Sequence, residues 1–161
     1  MKNPPLPYLL LLVSLSPSLF ANTQSAIRDI LDVDAEGRGN SKASNAWSEL
    51  ASGGADSIPT LLKAMNDANG LAANWLRSAV DTIAQKNASS LPVEALQKFL
   101  KDRSNNAKAR RLAYELIAQA QPTRAAKLIQ DMLDDPSVEL RRDAVQRVLD
   151  SAKTKESAKL Y

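Results

Sequence analysis

The sequence predicts an all-α protein in which antiparallel helix pairs stack into an α-solenoid. The main observation is that apolar residues recur in aligned columns about every 33 residues, a period typical of helical repeats. The second observation is that Gly, Pro and Asn residues stand between the columns, where helices would end. A chain of 161 residues is long enough for one domain with a substantial core.

The clearest column contains one alanine from the first helix of each pair. Its members are Ala46, Ala79, Ala113 and Ala144. The neighbouring columns hold larger residues: Trp47, Val80, Tyr114 and Val145; then Leu50, Ile83, Ile117 and Val148; then Ala51, Ala84, Ala118 and Leu149. A small residue beside a large one favours close packing of helices.

The second helices have columns of their own. These are Ile58, Val93 and Ala126; Leu61, Leu96 and Ile129; Met65, Leu100 and Leu133; and the turn residues Asp67, Asp102 and Asp135. We therefore expect each pair to bury one face of both helices.

The best-defined boundary between two helices is the segment 134–145. Pro136 lacks a backbone N–H and fits only the first turn of a helix, and Asp135 before it can cap that helix. The helix that follows carries an apolar stripe at i+4 spacing. The stripe consists of Leu140, Ala144, Val148 and Ala152, with Val145 and Leu149 beside it.

These residues resemble HEAT repeats, most closely from Asp135 to Val148 and more loosely from about Ser41 to Ala152. The resemblance implies a right-handed α-solenoid of about three to four repeats. It also implies that a turn Asp bonds to an Arg of the next helix. The implied pairs are Asp67 with Arg77, Asp102 with Arg111, and Asp135 with Arg142. Trp47, Leu50 and the last five residues also suit tetratricopeptide repeats, so a mixed array is an alternative.

The chain divides into four predicted regions. Residues 1–21 resemble a secretory signal peptide, with Lys2 before a short apolar run and Ala21 at the cleavage point. Residues 22–40 form an N-terminal helix and a Gly-rich loop, and this helix caps the array. Residues 41–152 form the repeat domain. Residues 153–161 begin a further helix, which we expect to be truncated or completed by a partner.

Gly, Pro and Asn residues mark the ends of the predicted helices within the repeat domain. Gly53 and Gly54 end the first, Pro59 begins the second, and Asn69-Gly70 makes the next turn. The predicted helices are 44–51, 58–66, 71–86, one that starts after Pro92 and bears Leu96, 107–121 and 123–134.

Composition excludes most chemistry. The chain has no His and no Cys, so imidazole bases, thiolate nucleophiles, disulfides and the usual zinc ligands are excluded. Asp131, Asp134 and Asp135 could bind a cation or act as an acid–base pair, but a helix end followed by a cap explains them better. We therefore predict no enzyme activity, no metal and no cofactor.

The formal net charge is only +3, which does not favour nucleic-acid binding. A local basic cluster surrounds one turn between helices, and Trp75 lies one turn before a core column. The candidate partner surface is Trp75, Lys98, Lys101, Arg103, Lys108 and Arg110. The alternative is a solvated face with internal ion pairs. Exposed second-helix residues such as Lys63 and Asn66 would add to a concave face.

The sequence thus predicts an exported, non-catalytic scaffold that binds a protein or peptide in the periplasm or outside the cell. No nucleic-acid partner is expected, and no membrane insertion after the signal peptide is removed. The alternatives are an accessory subunit or HEAT-like enzyme of the lyase or glycosylase type, or a structural spacer in a longer chain.

Overall fold

The computed structural model describes residues 17–34 and 36–157, with side chains for 22–34 and 36–153. This part of the chain is all-helical and contains no strand. The α-helices are α1 (Pro17–Leu31), α2 (Asn40–Ala51), α3 (Ile58–Ala64), α4 (Gly70–Lys86), α5 (Val93–Lys101), α6 (Ala107–Ala120), α7 (Pro122–Leu128) and α8 (Val138–Ser157). Short 3-10 helices span Ala55–Ser57, Ala88–Ser90 and Ile129–Met132. None of the described helices combines the length and hydropathy needed to cross a membrane.

Local chemistry sets the helix starts. The side-chain oxygen of Asn69 accepts a hydrogen bond from the Ala72 N–H at 2.9 Å at the start of α4. The Asn106 oxygen does the same for Lys108 and Ala109 at the start of α6. Each cap satisfies N–H groups that have no partner within the helix. Prolines stand in the first turns of α3 and α7, where their missing N–H costs nothing.

The helices pack mainly against their neighbours in the chain. α1 packs on α2, α3 on α4 and α5 on α6, and the 3-10 helix Ile129–Met132 packs on α8. The alanine column Ala46, Ala79, Ala113 and Ala144 is buried throughout, as the periodicity predicted. These alanines belong to one continuous hydrophobic core that extends from α1 to α8. Trp47, which the columns placed in the core, is half-buried, and its Nε1 is buried without a hydrogen-bond partner in the described part.

The N-terminal helix covers one end of this core, since Ala26, Ile27 and Ile30 of α1 are buried and α1 packs on α2. The predicted signal peptide, 1–21, lies mostly outside the described residues. The loop after α1 is shorter than expected, because α2 begins at Asn40 and not at Ser44. Gly39 just before it has φ 92°, a left-handed conformation that favours glycine.

The second helix of the third pair departs from the predicted columns. Ile129 is buried as expected, but the next core residue is Met132, whereas Leu133 is 49% exposed. The register is already shifted by one residue before the 3-10 helix, since Ala125 is buried and the predicted Ala126 is only half-buried. The buried face consists of Ala125, Leu128, Ile129 and Met132, at i, i+3, i+4 and i+7. The prediction that Leu133 lies in the core is therefore wrong.

α8 is only half covered. Leu140 and Ala144 are buried, while Val145, Val148 and Leu149 of the predicted stripe are 46%, 45% and 50% exposed. The helix also continues without a break past Lys153 to Ser157. The separate helix predicted to begin at residue 153 is thus the end of α8, and residues 158–161 lie outside the described part.

Candidate binding groove

The Asp–Arg pairs implied by the resemblance to HEAT repeats are not the pairs that form. Asp135 is bound by Arg110, whose Nη1 and Nη2 donate to its two carboxylate oxygens at 2.8 and 2.6 Å. Both side chains are 2% exposed. Arg110 also donates from Nε to the Leu100 carbonyl at 2.8 Å, so each of its three side-chain nitrogens makes a hydrogen bond. Because Arg110 is buried, its predicted place on a partner surface is wrong.

Electrostatics around Asp135 favour the ionised form. Burial acts to raise the pKa of Asp135, but hydrogen bonds from the Arg110 guanidinium and the Ser137 N–H, and the charges of Arg110 and Arg103, hold it below its ordinary value. The buried pair is a bidentate, charge-assisted contact. It joins α6 to the turn before α8.

The other two predicted turn pairs are also absent from the described contacts. Arg142 lies 4.0 Å from its neighbour Asp143 and does not pair with Asp135. Asp102 accepts hydrogen bonds from the N–H and hydroxyl of Ser104, which lower its pKa. Asp67 is exposed, with no side-chain partner in the described residues. Arg77 and Arg111, the expected partners of Asp67 and Asp102, form ion pairs with other residues.

Arg77 and Arg111 link successive first helices. Arg77 of α4 donates to Glu115 of α6 at 2.7 Å, and Arg111 of α6 donates to Asp143 of α8 at 3.2 Å. Within their own helices, Arg77 lies 3.5 Å from Asp81 and Arg111 lies 3.6 Å from Glu115. The result is a chain of alternating charges that crosses three helices. Each exposed pair contributes only about 0–1 kcal/mol to stability. Its main effect is therefore on how α4, α6 and α8 line up.

Between α4 and α6, beside this charge network, lies a groove of about 760 Å³, within the range of ligand-binding clefts. Its apolar floor includes Leu112 and Leu116, which are buried. Burial raises the pKa of Asp81 at its edge, partly offset by Arg77 and increased by Glu115. The polar lining consists of Asn74, Arg77, Ser78, Asp81, Thr82, Gln85, Glu115 and Gln119.

Three carboxamides in this groove have unused hydrogen-bonding capacity. Within the described residues, the side chains of Asn74, Gln85 and Gln119 make no hydrogen bond, and all three are exposed. A carboxamide offers one acceptor oxygen and two donor hydrogens. This combination matches the N–H and C=O of a peptide backbone. The groove can therefore hold a polar chain above an apolar floor.

The remaining residues of the predicted partner surface are not gathered in this groove. Lys98, Lys101 and Lys108 are exposed around the turn between α5 and α6. Arg103 in the same turn donates to Asp134 at 2.9 Å. Trp75 is half-buried, packs against the core and donates from Nε1 to Asn40 at 3.4 Å. Trp75 and the lysine cluster therefore form separate surfaces.

Two residues expected on a concave face are used inside the fold. Lys63 and Asn66 of the α3 segment both donate to the Asn105 side-chain oxygen, at 2.9 and 3.2 Å. The Asn66 oxygen accepts from the Asn106 N–H at 2.8 Å, and Asn105 donates to the Phe99 carbonyl. This network ties the end of α3 to the turn between α5 and α6. It leaves Asn66 with little capacity for a partner.

The sequence analysis missed the groove, although a signal for it is present. Arg77 and Arg111, Asp81 and Glu115, and Gln85 and Gln119 are each 34 residues apart, the same step as Ala79 to Ala113. The apolar columns mark the buried face of the first helices, whereas these polar columns mark their exposed face.

In the described part of the chain, no group of acidic side chains is arranged to hold a metal ion. Asp134 and Asp135 are engaged by Arg103 and Arg110, which explains two of the three carboxylates considered as a cation site. Comparisons with protein-family models, with curated proteins and with solved structures gave no match.

Proposed function

We propose that this protein is an exported, non-catalytic interaction scaffold, a right-handed α-solenoid of HEAT-like repeats that binds an extended peptide in the groove between α4 and α6. The observation that carries the proposal is the set of three unpaired carboxamides above an apolar floor. The repeat columns support the architecture, and the first 21 residues support export.

The dimensions of the groove suit a short extended segment. Asn74 and Gln85 are eleven residues apart on α4, or about 16 Å along the helix axis at ~1.5 Å per residue. At about 3.3 Å per residue, an extended chain would place five residues over this distance. The Gln119 amide on the opposite wall can then bond the same backbone from the other side.

The test is selection of random peptides, displayed on phage, against the purified protein. We expect enriched peptides whose affinity falls about tenfold in the variant Gln85→Ala/Gln119→Ala, because backbone hydrogen bonds are lost, at about 0.5–1.5 kcal/mol each. Binding would be measured by fluorescence anisotropy of the labelled peptides.

The matched control is Gln97→Ala/Gln130→Ala, which removes two amides outside the groove. It should leave the affinity unchanged. If no peptide is enriched, or if the enriched peptides bind both double variants equally, the groove is not the peptide site and the proposal fails.

A further inference from the structure

A second surface, separate from the groove, lies on the distal half of α8. Every described side chain from Val145 to Lys153 is exposed, so no described part of the chain covers this half of the helix. The apolar side chains there nevertheless follow a strict helical order. They are Val145, Val148, Leu149 and Ala152, at i, i+3, i+4 and i+7, the spacing by which one helix face contacts a partner.

The described charges that border this part of the apolar face are positive. Arg142 lies one turn before Val145, and Lys153 lies one turn after Leu149. The two cations are eleven residues apart, or about three turns, so they stand on the same border of the face. The Arg142 side chain is 71% exposed, with its nearest acid, Asp143, at 4.0 Å.

The acids of α8 whose side chains are described lie on the other side of the helix. Asp143 faces Arg111 of α6, and Asp150, seven residues on, accepts a hydrogen bond from Gln146. An approaching surface therefore meets apolar side chains bordered by Arg142 and Lys153. Charge complementarity selects a partner with acidic groups beside an apolar stripe.

We propose that this face of α8 binds an acidic amphipathic helix of another protein. The inference goes beyond the proposed peptide groove and does not depend on it. Apolar contacts with Val145, Val148 and Leu149 would supply the area, and carboxylates on the partner would lie against Arg142 and Lys153.

Other occupants fit less well. Two copies of α8 packed antiparallel about a two-fold axis would bring the same border of each helix to one side, so Arg142 and Lys153 would face like charges. An interfacial helix on an anionic membrane carries Trp, Phe or Leu on its apolar face. The exposed face of α8 has one such residue, Leu149, beside the smaller Val145 and Val148, and no Trp or Phe.

The test uses the full chain and two synthetic helical peptides of equal length, measured by fluorescence anisotropy. Both peptides carry Leu at the a and d heptad positions, one with Glu and the other with Lys at the flanking positions. We expect the Glu peptide to bind at least tenfold more tightly than the Lys peptide, and its affinity to fall as salt is raised.

Four variants locate the site. Leu149→Asp should weaken binding of the Glu peptide about tenfold or more, whereas the matched Ser151→Asp, with the same new charge off the apolar face, should not. Arg142→Glu/Lys153→Glu should reverse the preference between the two peptides. The equivalent reversal in the basic turn, Lys98→Glu/Lys101→Glu, should leave it unchanged, and circular dichroism would verify the fold of each.

The groove variant Gln85→Ala/Gln119→Ala should bind the Glu peptide like the wild type, so the two proposals can fail separately. The α8 proposal is overturned if Leu149→Asp and Ser151→Asp behave alike. It is also overturned if sedimentation shows a dimer that Leu149→Asp dissolves, or if vesicles of phosphatidylglycerol bind this face while the Glu peptide does not.

Discussion

Replacing Arg110 by methionine is expected to lower the free energy of unfolding by about 3–5 kcal/mol. The change removes both guanidinium hydrogen bonds to Asp135 and leaves its buried carboxylate with only the Ser137 N–H and the more distant Arg103 guanidinium, at 3.8 Å. A loss of that size is a large share of the ~5–15 kcal/mol by which a typical domain is stable. Urea unfolding followed by circular dichroism would measure it.

The matched control is Arg111→Met at the next position in the chain. Arg111 is one-third exposed and its partners are also partly exposed, so this change should cost no more than about 1 kcal/mol. Equal losses of unfolding free energy in the two variants would show that the buried Arg110 pair contributes no more to stability than the exposed pairs of Arg111. The double variant Arg110→Met/Asp135→Leu should recover much of the stability, because apolar side chains can replace a buried pair.

The same variants make a prediction about pH. Because the pKa of Asp135 is lowered in the folded state, the ion pair stabilises the protein above the ordinary pKa of an aspartate. That stability is lost as the pH falls through the lowered value. The difference in unfolding free energy between wild type and Arg110→Met should therefore be largest at neutral pH and shrink in acid. A difference that stays constant down to strongly acidic pH would contradict this account.

Met132→Ala is expected to cost about 2–5 kcal/mol, while Leu133→Ala costs less than about 1 kcal/mol. Met132 is 4% exposed and Leu133 is 49% exposed, so only the first change leaves a cavity. The two residues are adjacent, and truncation to alanine removes three side-chain heavy atoms from each. Their melting temperatures would be compared by differential scanning calorimetry.

The comparison tests the register of this segment directly. If it followed the columns of the sequence, Leu133 would lie in the core and Met132 would not, and the order of the two losses would be reversed. A larger loss for Leu133→Ala would thus contradict the structure and restore the periodicity of the sequence.

Repeat periodicity predicted the helical architecture and the buried alanines well, because each depends on local spacing. Ala79 and Ala113 are 34 residues apart and both fully buried. The same alignment contains a sign of the buried arginine, since Arg110 occupies the position that Leu76 occupies one repeat earlier. That sign is weak by itself, because a charged residue is rarely buried without a partner, and the partner, Asp135, is 25 positions away.

The sequence by itself determined that the chain is helical, that a turn at Asn69-Gly70 precedes a long helix, and that Ala46, Ala79, Ala113 and Ala144 face the core. Backbone capping and helical periodicity act within a few residues, so a linear pattern contains them. Only the tertiary structure decided that Asp135 pairs with Arg110 and not with Arg142, that carboxamides of α4 and α6 share a groove, and that the α8 stripe is exposed from Val145 onward but buried at Leu140 and Ala144. These outcomes depend on which helices lie side by side, and a long side chain reaches its neighbour in space whatever the distance along the chain.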